Sequence, residues 1–319
     1  MLLLILSAAV LLAGCGSDSP QQEGRPAVKL ALNWFPEAEH GGFYAAQVHG
    51  YYNGHGLEVE IIGGGPDAPV IQRVATGAVE FGVTNADDVL IARSQGAPVV
   101  ALMAPYQINP RCIMVHAESG IERIEEIRDM TLALSQRPAF SHYLRKLYPF
   151  EGVRIVPYPG NVVQFLSDPH FAQQAYVFSE PFVARKKGAK PRSLLVADIG
   201  FNPYASVLIT TEDMIEQAGE TVRRMTVASV AGWRHYLQAP ARANQMINSL
   251  NPEMGLDILG YGASESLPLV ATDVAQADGV GVMTLERWQT LASQLEQAGL
   301  IEAGSVDPAT AFDTRHLPP

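Results

Sequence analysis

The chain has 319 residues, of which 47% are hydrophobic and 17% charged, so it is long enough for two domains with buried cores and is not globally disordered. It carries 22 Lys and Arg against 33 Asp and Glu, and this formal net charge of −11 argues against a nucleic-acid-binding surface. The two cysteines, Cys15 and Cys112, exclude a disulfide scaffold and a cysteine-rich zinc site.

The first segment is the apolar run MLLLILSAAVLLAG at residues 1–14. It is shorter than the roughly 20 residues that span a bilayer and fits a secretory signal peptide, although no Lys or Arg precedes it. Leu12-Ala13-Gly14-Cys15 resembles the lipobox of bacterial lipoproteins, and residues 15–27 read as a polar tether. We interpret the chain as an exported protein anchored to a membrane by lipid on Cys15. The alternative is a buried apolar strand with a chance cysteine.

Strand and helix patterns alternate over the next part of the chain. Strands are predicted at residues 28–32, 57–61, 80–84 and 98–103. Helices are predicted at residues 41–52, 66–76 and 86–94. This βαβα order is typical of a mainly parallel sheet.

A second α/β unit of similar size follows. Its strands are predicted at residues 111–116, 131–135, 153–156, 174–178 and 194–196. Its helices are predicted at residues 124–128, 139–147, 161–166 and 181–187. A strand at 205–210 leads into a mostly helical C-terminal part, whose last helix at 285–298 is closed by Gly299.

The pattern pauses near residues 105–110 and 200–205, and we interpret both pauses as hinge crossings. They predict an α/β fold with two lobes, each a mainly parallel sheet flanked by helices. Lobe 1 combines residues 28–105 with 206–319, and lobe 2 is 110–202. Because ligands of open α/β sheets bind at the carboxyl ends of the strands, we expect a binding cleft between the lobes.

Several stretches resemble one family. They are LALNWFPEAEHGGFYAAQVHGYYNGHGLEVEI at 30–61, GAVEFGV at 77–83, DVLIAR at 88–93, GAPVVA at 96–101 and SEPF at 179–182. Over residues 28–303 the chain resembles periplasmic substrate-binding proteins of ABC importers, and best the subgroup of thiamine-pyrimidine-precursor binders. The resemblance implies the type II periplasmic-binding-protein fold, a small-molecule ligand and a partner permease. It implies no cofactor, no metal and no catalysis.

Residues at strand ends and hinges are the candidate ligand contacts: Asn33, Trp34, Glu37, Tyr44, Asn85, Tyr106, Glu180 and Tyr204. An indole or phenol ring stacks on a flat heterocycle, which is the role expected of Trp34 and Tyr204. Amide and carboxylate side chains pair with the polar edge of such a ligand, as expected of the asparagines and Glu180.

Most of these residues also have a purely structural interpretation. Trp34 would then cap the sheet, Tyr44 would belong to the core, and Tyr106 would lie in a solvated loop. Asn85 is at an expected helix N-cap, and Glu180 opens a helix before Pro181.

The ligand class has alternatives. Receptors similar to this one take riboflavin, sulfonates or nitrate, and riboflavin shares the stacking chemistry. Anions require a cationic cleft, and only Arg111 and Arg137 are expected near it. The rival class is an enzyme of pyrimidine synthesis. The eukaryotic branch with that activity carries a cysteine-rich iron-binding motif that this sequence lacks.

Overall fold

The computed structural model describes residues 26–318, so the predicted signal peptide, Cys15 and nearly all of the predicted tether lie outside the described residues. The described residues form ten strands: β1 Ala27–Ala31, β2 Glu58–Ile62, β3 Phe81–Thr84, β4 Val99–Met103, β5 Arg111–His116, β6 Thr131–Ala133, β7 Arg154–Val156, β8 Phe171–Tyr176, β9 Pro191–Leu195 and β10 Val207–Thr211.

The α-helices of the described residues surround two sheets. They are α1 Gly41–Val48, α2 Tyr51–Gly54, α3 Val70–Ala75, α4 Ala86–Ser94, α5 Ala139–Leu147, α6 Val163–Ser167, α7 Glu180–Lys186, α8 Glu212–Gln238, α9 Ala241–Leu250, α10 Leu256–Val270, α11 Asp273–Asp278 and α12 Leu285–Ala298.

The strands form two five-stranded sheets, ordered β2-β1-β3-β10-β4 and β7-β6-β8-β5-β9. In the first sheet only β10 runs antiparallel to its neighbours, and in the second only β5 does. The chain passes from the first sheet to the second after β4 and returns before β10. This is the predicted arrangement of two mainly parallel sheets joined by two crossings.

The two crossings are tied together beside the hinge. The Asn109 backbone N–H donates to Asn202 Oδ1 at 2.8 Å, and Asn109 Nδ2 donates to the Pro203 carbonyl at 2.9 Å. Asn202 Nδ2 donates to the Gln107 carbonyl at 3.3 Å. The relative placement of the lobes therefore depends on these two asparagines.

Glycines bring helix α1 close to helix α8 in the core of lobe 1. A Cβ atom at Gly42 would lie 2.1 Å from the Trp233 ring, and one at Gly232 would lie 2.2 Å from the Gly42 carbonyl oxygen. Because neither glycine has a side chain, the backbone of α1 at Gly42 contacts both the Trp233 ring and the backbone of α8 at Gly232. This contact fixes the start of α1, which contains Tyr44 and follows the loop that carries Asn33, Trp34 and Glu37.

Some element boundaries differ from the sequence prediction. The helix expected at 41–52 is divided by Gly50, which is left-handed with φ 73°. The segment expected to be a helix at 124–128 is a single 3₁₀ turn, Ile124–Glu126. The helix expected from residue 66 begins at Val70. The strand expected at 174–178 ends at Tyr176, because the next residues turn into α7.

Among residues 26–318, no helix is both long enough and apolar enough to cross a membrane.

Candidate functional site

Glutamates of both lobes lie close enough for their charges to interact. Glu37 and Glu39 follow β1 in lobe 1, and Glu180 opens α7 after β8 in lobe 2. Glu37 is 5% exposed. Burial raises the pKa of Glu37 well above its usual range, and the nearby charges of Glu39 and Glu180 raise it further. The region around Glu37 is therefore acidic, and Glu37 holds its proton more tightly than a surface carboxylate.

Glu180 is held in place by groups of its own lobe. Its Oε1 accepts a hydrogen bond from the Tyr158 hydroxyl at 2.5 Å, and its Oε2 accepts one from the Tyr176 backbone N–H at 2.9 Å. The Ser179 hydroxyl donates to the same Oε2. These contacts fix the carboxylate at the start of α7, and it is close enough to Glu37 to raise the pKa of that residue.

A buried histidine connects the lobe 1 residues. His40 Nε2 lies 3.0 Å from Asn33 Oδ1 and 3.0 Å from Glu39 Oε1. His40 is fully buried, and its Nδ1 has no hydrogen-bond partner among residues 26–318. The histidine therefore orients the Asn33 amide and the Glu39 carboxylate at the end of β1.

Trp34 lies in the loop that leaves β1 and is half-buried. Its ring meets that of Phe35 edge-on, with centroids 5.5 Å apart. The Gly64 backbone N–H donates to the Trp34 carbonyl at 2.9 Å, and a Cβ at Gly64 would lie 2.1 Å from the Leu32 carbonyl oxygen. The glycine run at 63–65 is therefore needed for close packing on the tryptophan loop.

Two predicted tyrosines lie in the core behind the cleft. The Tyr44 side chain is fully buried, and its hydroxyl has no partner among the described residues. Tyr106 is also fully buried, bonds to Ser266 through its hydroxyl at 2.8 Å, and has its ring centroid 5.3 Å from that of Trp233. Tyr106 therefore supports the hinge.

The remaining predicted residues lie near the second crossing. Asn85 is the N-cap residue of α4, and its Oδ1 accepts from the Ser206 backbone N–H at 3.4 Å. Tyr204 is 2% exposed, its ring is covered by the Arg287 guanidinium at 3.8 Å, and its hydroxyl accepts from the Thr284 backbone N–H. This placement gives no support to Tyr204 as a second stacking surface.

The prediction omitted two aromatic residues that adjoin the acidic cluster. Tyr158 follows β7 and donates to Glu180, while Tyr176 ends β8 and its hydroxyl accepts from Arg111 Nη2 at 2.8 Å. The Arg111 guanidinium lies over the Tyr176 ring at 4.6 Å and over the Phe140 ring at 4.3 Å. Both tyrosines lie at or after the end of a strand, and this position is the signal that could have identified them in the sequence.

Two other features bear on the assignment of the site. A groove of about 1010 Å³, which includes His116 and His170 in its lining, lies at the opposite edge of the second sheet from Glu180. It is thus separate from the strand ends that meet at the cleft.

Within residues 26–318, no three His, Cys, Asp or Glu side chains are grouped to hold a metal ion.

A family model described as NMT1/THI5 like matches residues 37–243. Riboflavin-binding protein RibY of Chloroflexus aurantiacus is 28% identical over 323 residues, covering 96% of this chain and 91% of the relative. The formylaminopyrimidine-binding protein of Halalkalibacterium halodurans is 23% identical over 310 residues, covering 93% of each chain.

Solved structures match the fold at lower identity. The periplasmic aliphatic sulphonate binding protein SsuA from Escherichia coli has a TM-score of 0.67 at 12% identity, covering 90% of this chain and 92% of that one. The periplasmic nitrate-binding protein NrtA from Synechocystis has a TM-score of 0.66 at 11% identity, covering 91% and 86%. These similarities confirm the predicted periplasmic-binding-protein fold.

Proposed function

The chain belongs to the NMT1/THI5-like family, and from that premise we propose that it is the solute-binding protein of an ABC importer, with a small planar nitrogen heterocycle as its ligand. A thiamine pyrimidine precursor is the favoured ligand. Two relatives of this chain are named for the ligands riboflavin and formylaminopyrimidine, and both ligands are flat nitrogen heterocycles. The proposed activity is capture and delivery to a permease, without chemical turnover.

The proximity of acidic side chains from both lobes carries this proposal. Glu39 and Glu180 present carboxylate acceptors to the exocyclic amino group of an aminopyrimidine, Glu37, which holds its proton more tightly, presents a donor to a ring nitrogen, and charge-assisted hydrogen bonds are strong. Trp34, on the same loop as two of them, supplies a ring face for stacking.

The same charges argue against anionic ligands. Sulfonate and nitrate would meet acidic side chains, and Arg111, a cation expected near the ligand, is engaged with the Tyr176 ring and hydroxyl. Similarity in fold to receptors named for sulphonate and nitrate therefore does not extend to the ligand.

Riboflavin is the second candidate. The relative named for riboflavin is 28% identical to this chain, against 23% for the one named for a formylaminopyrimidine. A flavin also stacks on an indole, and its ribityl hydroxyls are donors that suit a cleft rich in carboxylates.

Capture requires the lobes to close, and the structure contains contacts that join them. Lys186 of α7 pairs with Asp257 of α10, and the Phe182 ring stacks on that of Tyr261 at 5.0 Å. Arg137 of lobe 2 pairs with Asp67 of lobe 1. A ligand that contacts both lobes shifts the open–closed equilibrium by its greater affinity for the closed form.

A panel of ligands tests the function by the thermal unfolding midpoint of the purified protein. The panel holds 4-amino-5-hydroxymethyl-2-methylpyrimidine, riboflavin, taurine and nitrate. A ligand that binds only the folded state adds about 2.7 kcal/mol at a hundredfold excess over its Kd. We expect the pyrimidine to raise the midpoint. A rise of the midpoint with taurine or nitrate alone would contradict the proposal that the ligand is a planar heterocycle.

Glu180→Gln is the matched variant for this panel, because it keeps the side-chain shape and removes the charge. We expect it to weaken the pyrimidine response, while Glu286→Gln on the exposed side of α12 leaves it unchanged. The ligand should be recovered chemically intact, and a modified product would favour the enzyme alternative.

Membrane attachment through lipid on Cys15 belongs to the same proposal. Cys15→Ser should release the protein from the membrane fraction and abolish the added lipid mass of the N-terminal peptide. Retention of the variant in the membrane fraction would contradict the lipid anchor.

A further inference from the structure

A small internal cavity of about 10 Å³ lies beside the two crossings. Its volume is enough for about one water molecule. Because its walls belong to both lobes, a movement of one lobe against the other changes how tightly the cavity is enclosed. The lining residues are Asn85, Asp87, Asn109, Arg111, Phe140, Val196, Phe201 and Pro203.

Asp87 is the carboxylate of this cavity, and it comes from lobe 1. It lies in the first turn of α4, is 8% exposed, and has no hydrogen-bond partner for its Oδ1 among residues 26–318. The Phe140 and Phe201 side chains of lobe 2 line the same cavity. The burial of Asp87 therefore depends in part on where lobe 2 lies.

Burial dominates the ionisation of Asp87. Its pKa is raised to about 7, by burial first and by the charge of Asp88 second. The charge of Arg111 and the backbone N–H groups at Asp87 and Asp88 act in the opposite direction and are the smaller causes. The Arg111 guanidinium is itself held between the Tyr176 and Phe140 rings and donates to the Tyr176 hydroxyl.

The titratable groups around Asp87 come from three elements. Asp88 shares its helix and accepts a hydrogen bond from the Thr84 hydroxyl at 2.9 Å. Arg111 belongs to β5 and Tyr176 to β8, and burial is the first cause of the raised pKa of Tyr176, with the charge of Asp87 a smaller one. Helices α3 and α12 also pack against α4, but none of their charged residues shifts the pKa of Asp87: Arg73, Glu286, Arg287 and Glu296.

We propose that Asp87 is a proton-dependent switch of the hinge. Its neutral form favours the arrangement in which both lobes enclose the cavity, and its ionised form favours an arrangement in which water reaches the carboxylate. An ionised carboxylate with an unpaired buried oxygen costs free energy, and hydration removes that cost. The switch acts on the lobes whatever ligand the cleft binds.

The sign follows from proton linkage. Separation of the lobes at the cavity removes burial, the largest cause of the raised pKa of Asp87, so the separated arrangement has the lower pKa. The arrangement with the higher pKa binds the proton more tightly and gains stability as the pH falls. Enclosure is therefore favoured below about pH 7 and separation above it.

Spin labels on one exposed glutamine of each lobe test the switch without a ligand. Gln72→Cys on α3 and Gln164→Cys on α6 carry the labels, Cys15→Ser removes another thiol, and Cys112 is buried. Pulsed electron paramagnetic resonance measures the distance between the labels. From about pH 6 to about pH 8 the separated population should grow, and its ratio to the enclosed one should rise by up to about tenfold per pH unit above the pKa.

Asp87→Asn keeps the side-chain shape and cannot ionise, so its distance distribution should not change over this range. Asp198→Asn is the matched control, because Asp198 is an exposed aspartate close in sequence to the lining residue Val196. It should respond as the wild type does. Where Asp87→Asn does not fold, the carboxyl carbon resonance of Asp87 in the wild type replaces it, and its midpoint should coincide with that of the distance change.

Three results would overturn the switch. They are a wild-type distance distribution that does not change with pH, the same pH response in Asp87→Asn, and a carboxyl midpoint that differs from that of the distance change. A shift toward shorter distances at higher pH would also overturn it, since that is the sign expected if attraction by Arg111 outweighed burial. All of these leave the proposed receptor function untouched, because no ligand is present.

Discussion

Glu37 is a carboxylic acid with 5% of its surface exposed and two other glutamates nearby. Its folded-state pKa is raised by burial first and by those charges second. Ionising a group whose pKa is raised by folding destabilises the folded state. The contribution of Glu37 to stability is complete below its unfolded-state pKa and is lost as the pH rises through its folded-state value.

Glu37→Gln tests this at the residue scale. The amide cannot ionise, so the variant should gain stability relative to the wild type as the pH is raised from 4 upward. Thermal unfolding midpoints across a pH series measure the difference. Glu302→Gln, at an exposed carboxylate, is the control and should follow the wild type. A difference between variant and wild type that does not change with pH would contradict the assignment.

Asn33, Glu37 and Glu180 were expected in the site because each comes soon after a predicted strand. The structure places Asn33 and Glu37 after β1 and Glu180 after β8, and their contact with a ligand stays a prediction. Tyr204 was expected in the site because it lies at a crossing, and that position does not reveal that Arg287 and Thr284 engage its ring and hydroxyl. Those contacts span about 80 residues of sequence and depend on tertiary packing.

At the scale of elements, helix boundaries were predictable where composition marks them. Helix α12 occupies the predicted residues 285–298, with Gly299 in the left-handed conformation at φ 73° after it. Strand β8 begins at Phe171 and not at the predicted Gln174, because the polar residue Gln173 gives no local sign that it is buried in the sheet. Gln174 exchanges hydrogen bonds with Ser135, and a pairing between distant residues cannot be read from local pattern.

The α1–α8 contact gives a prediction at this scale. Gly42→Ala and Gly232→Ala should each lower the free energy of unfolding by about 1 to 3 kcal/mol, because the added methyl has no space. Gly260→Ala in helix α10 is the control, since a Cβ there meets nothing within 4 Å. It should be neutral or stabilising by up to about 1 kcal/mol. Chemical denaturation provides the measurement, and equal effects at all three sites would contradict the close packing.

At the scale of the whole molecule, two lobes and two crossings were predictable from the α/β alternation and its two pauses. The hydrogen bonds that tie the crossings together were not, since Asn109 and Asn202 are 93 residues apart. They link the two crossings within the hinge, and the placement of both lobes depends on them.

Asn202→Ala removes the acceptor of the Asn109 N–H and the donor to the Gln107 carbonyl. Leaving such groups unpaired costs about 1 to 3 kcal/mol, and we expect a loss of stability of that size. Asn53→Ala, at an exposed asparagine of lobe 1, should have little effect. Denaturant unfolding measures the free energy of unfolding of both variants. Equal values for the two would contradict this role of the hinge pair.

The central claim is that the lobes clamp a flat ligand against the Trp34 indole. The chain has three tryptophans, and the other two, Trp233 and Trp288, are fully buried. Titration of the wild type and of Trp34→Phe with 4-amino-5-hydroxymethyl-2-methylpyrimidine, followed by tryptophan fluorescence, therefore isolates the ring in question. We predict saturable quenching in the wild type and none in the variant. Identical quenching in both proteins, or calorimetric binding with no change in the wild-type emission, would contradict the account.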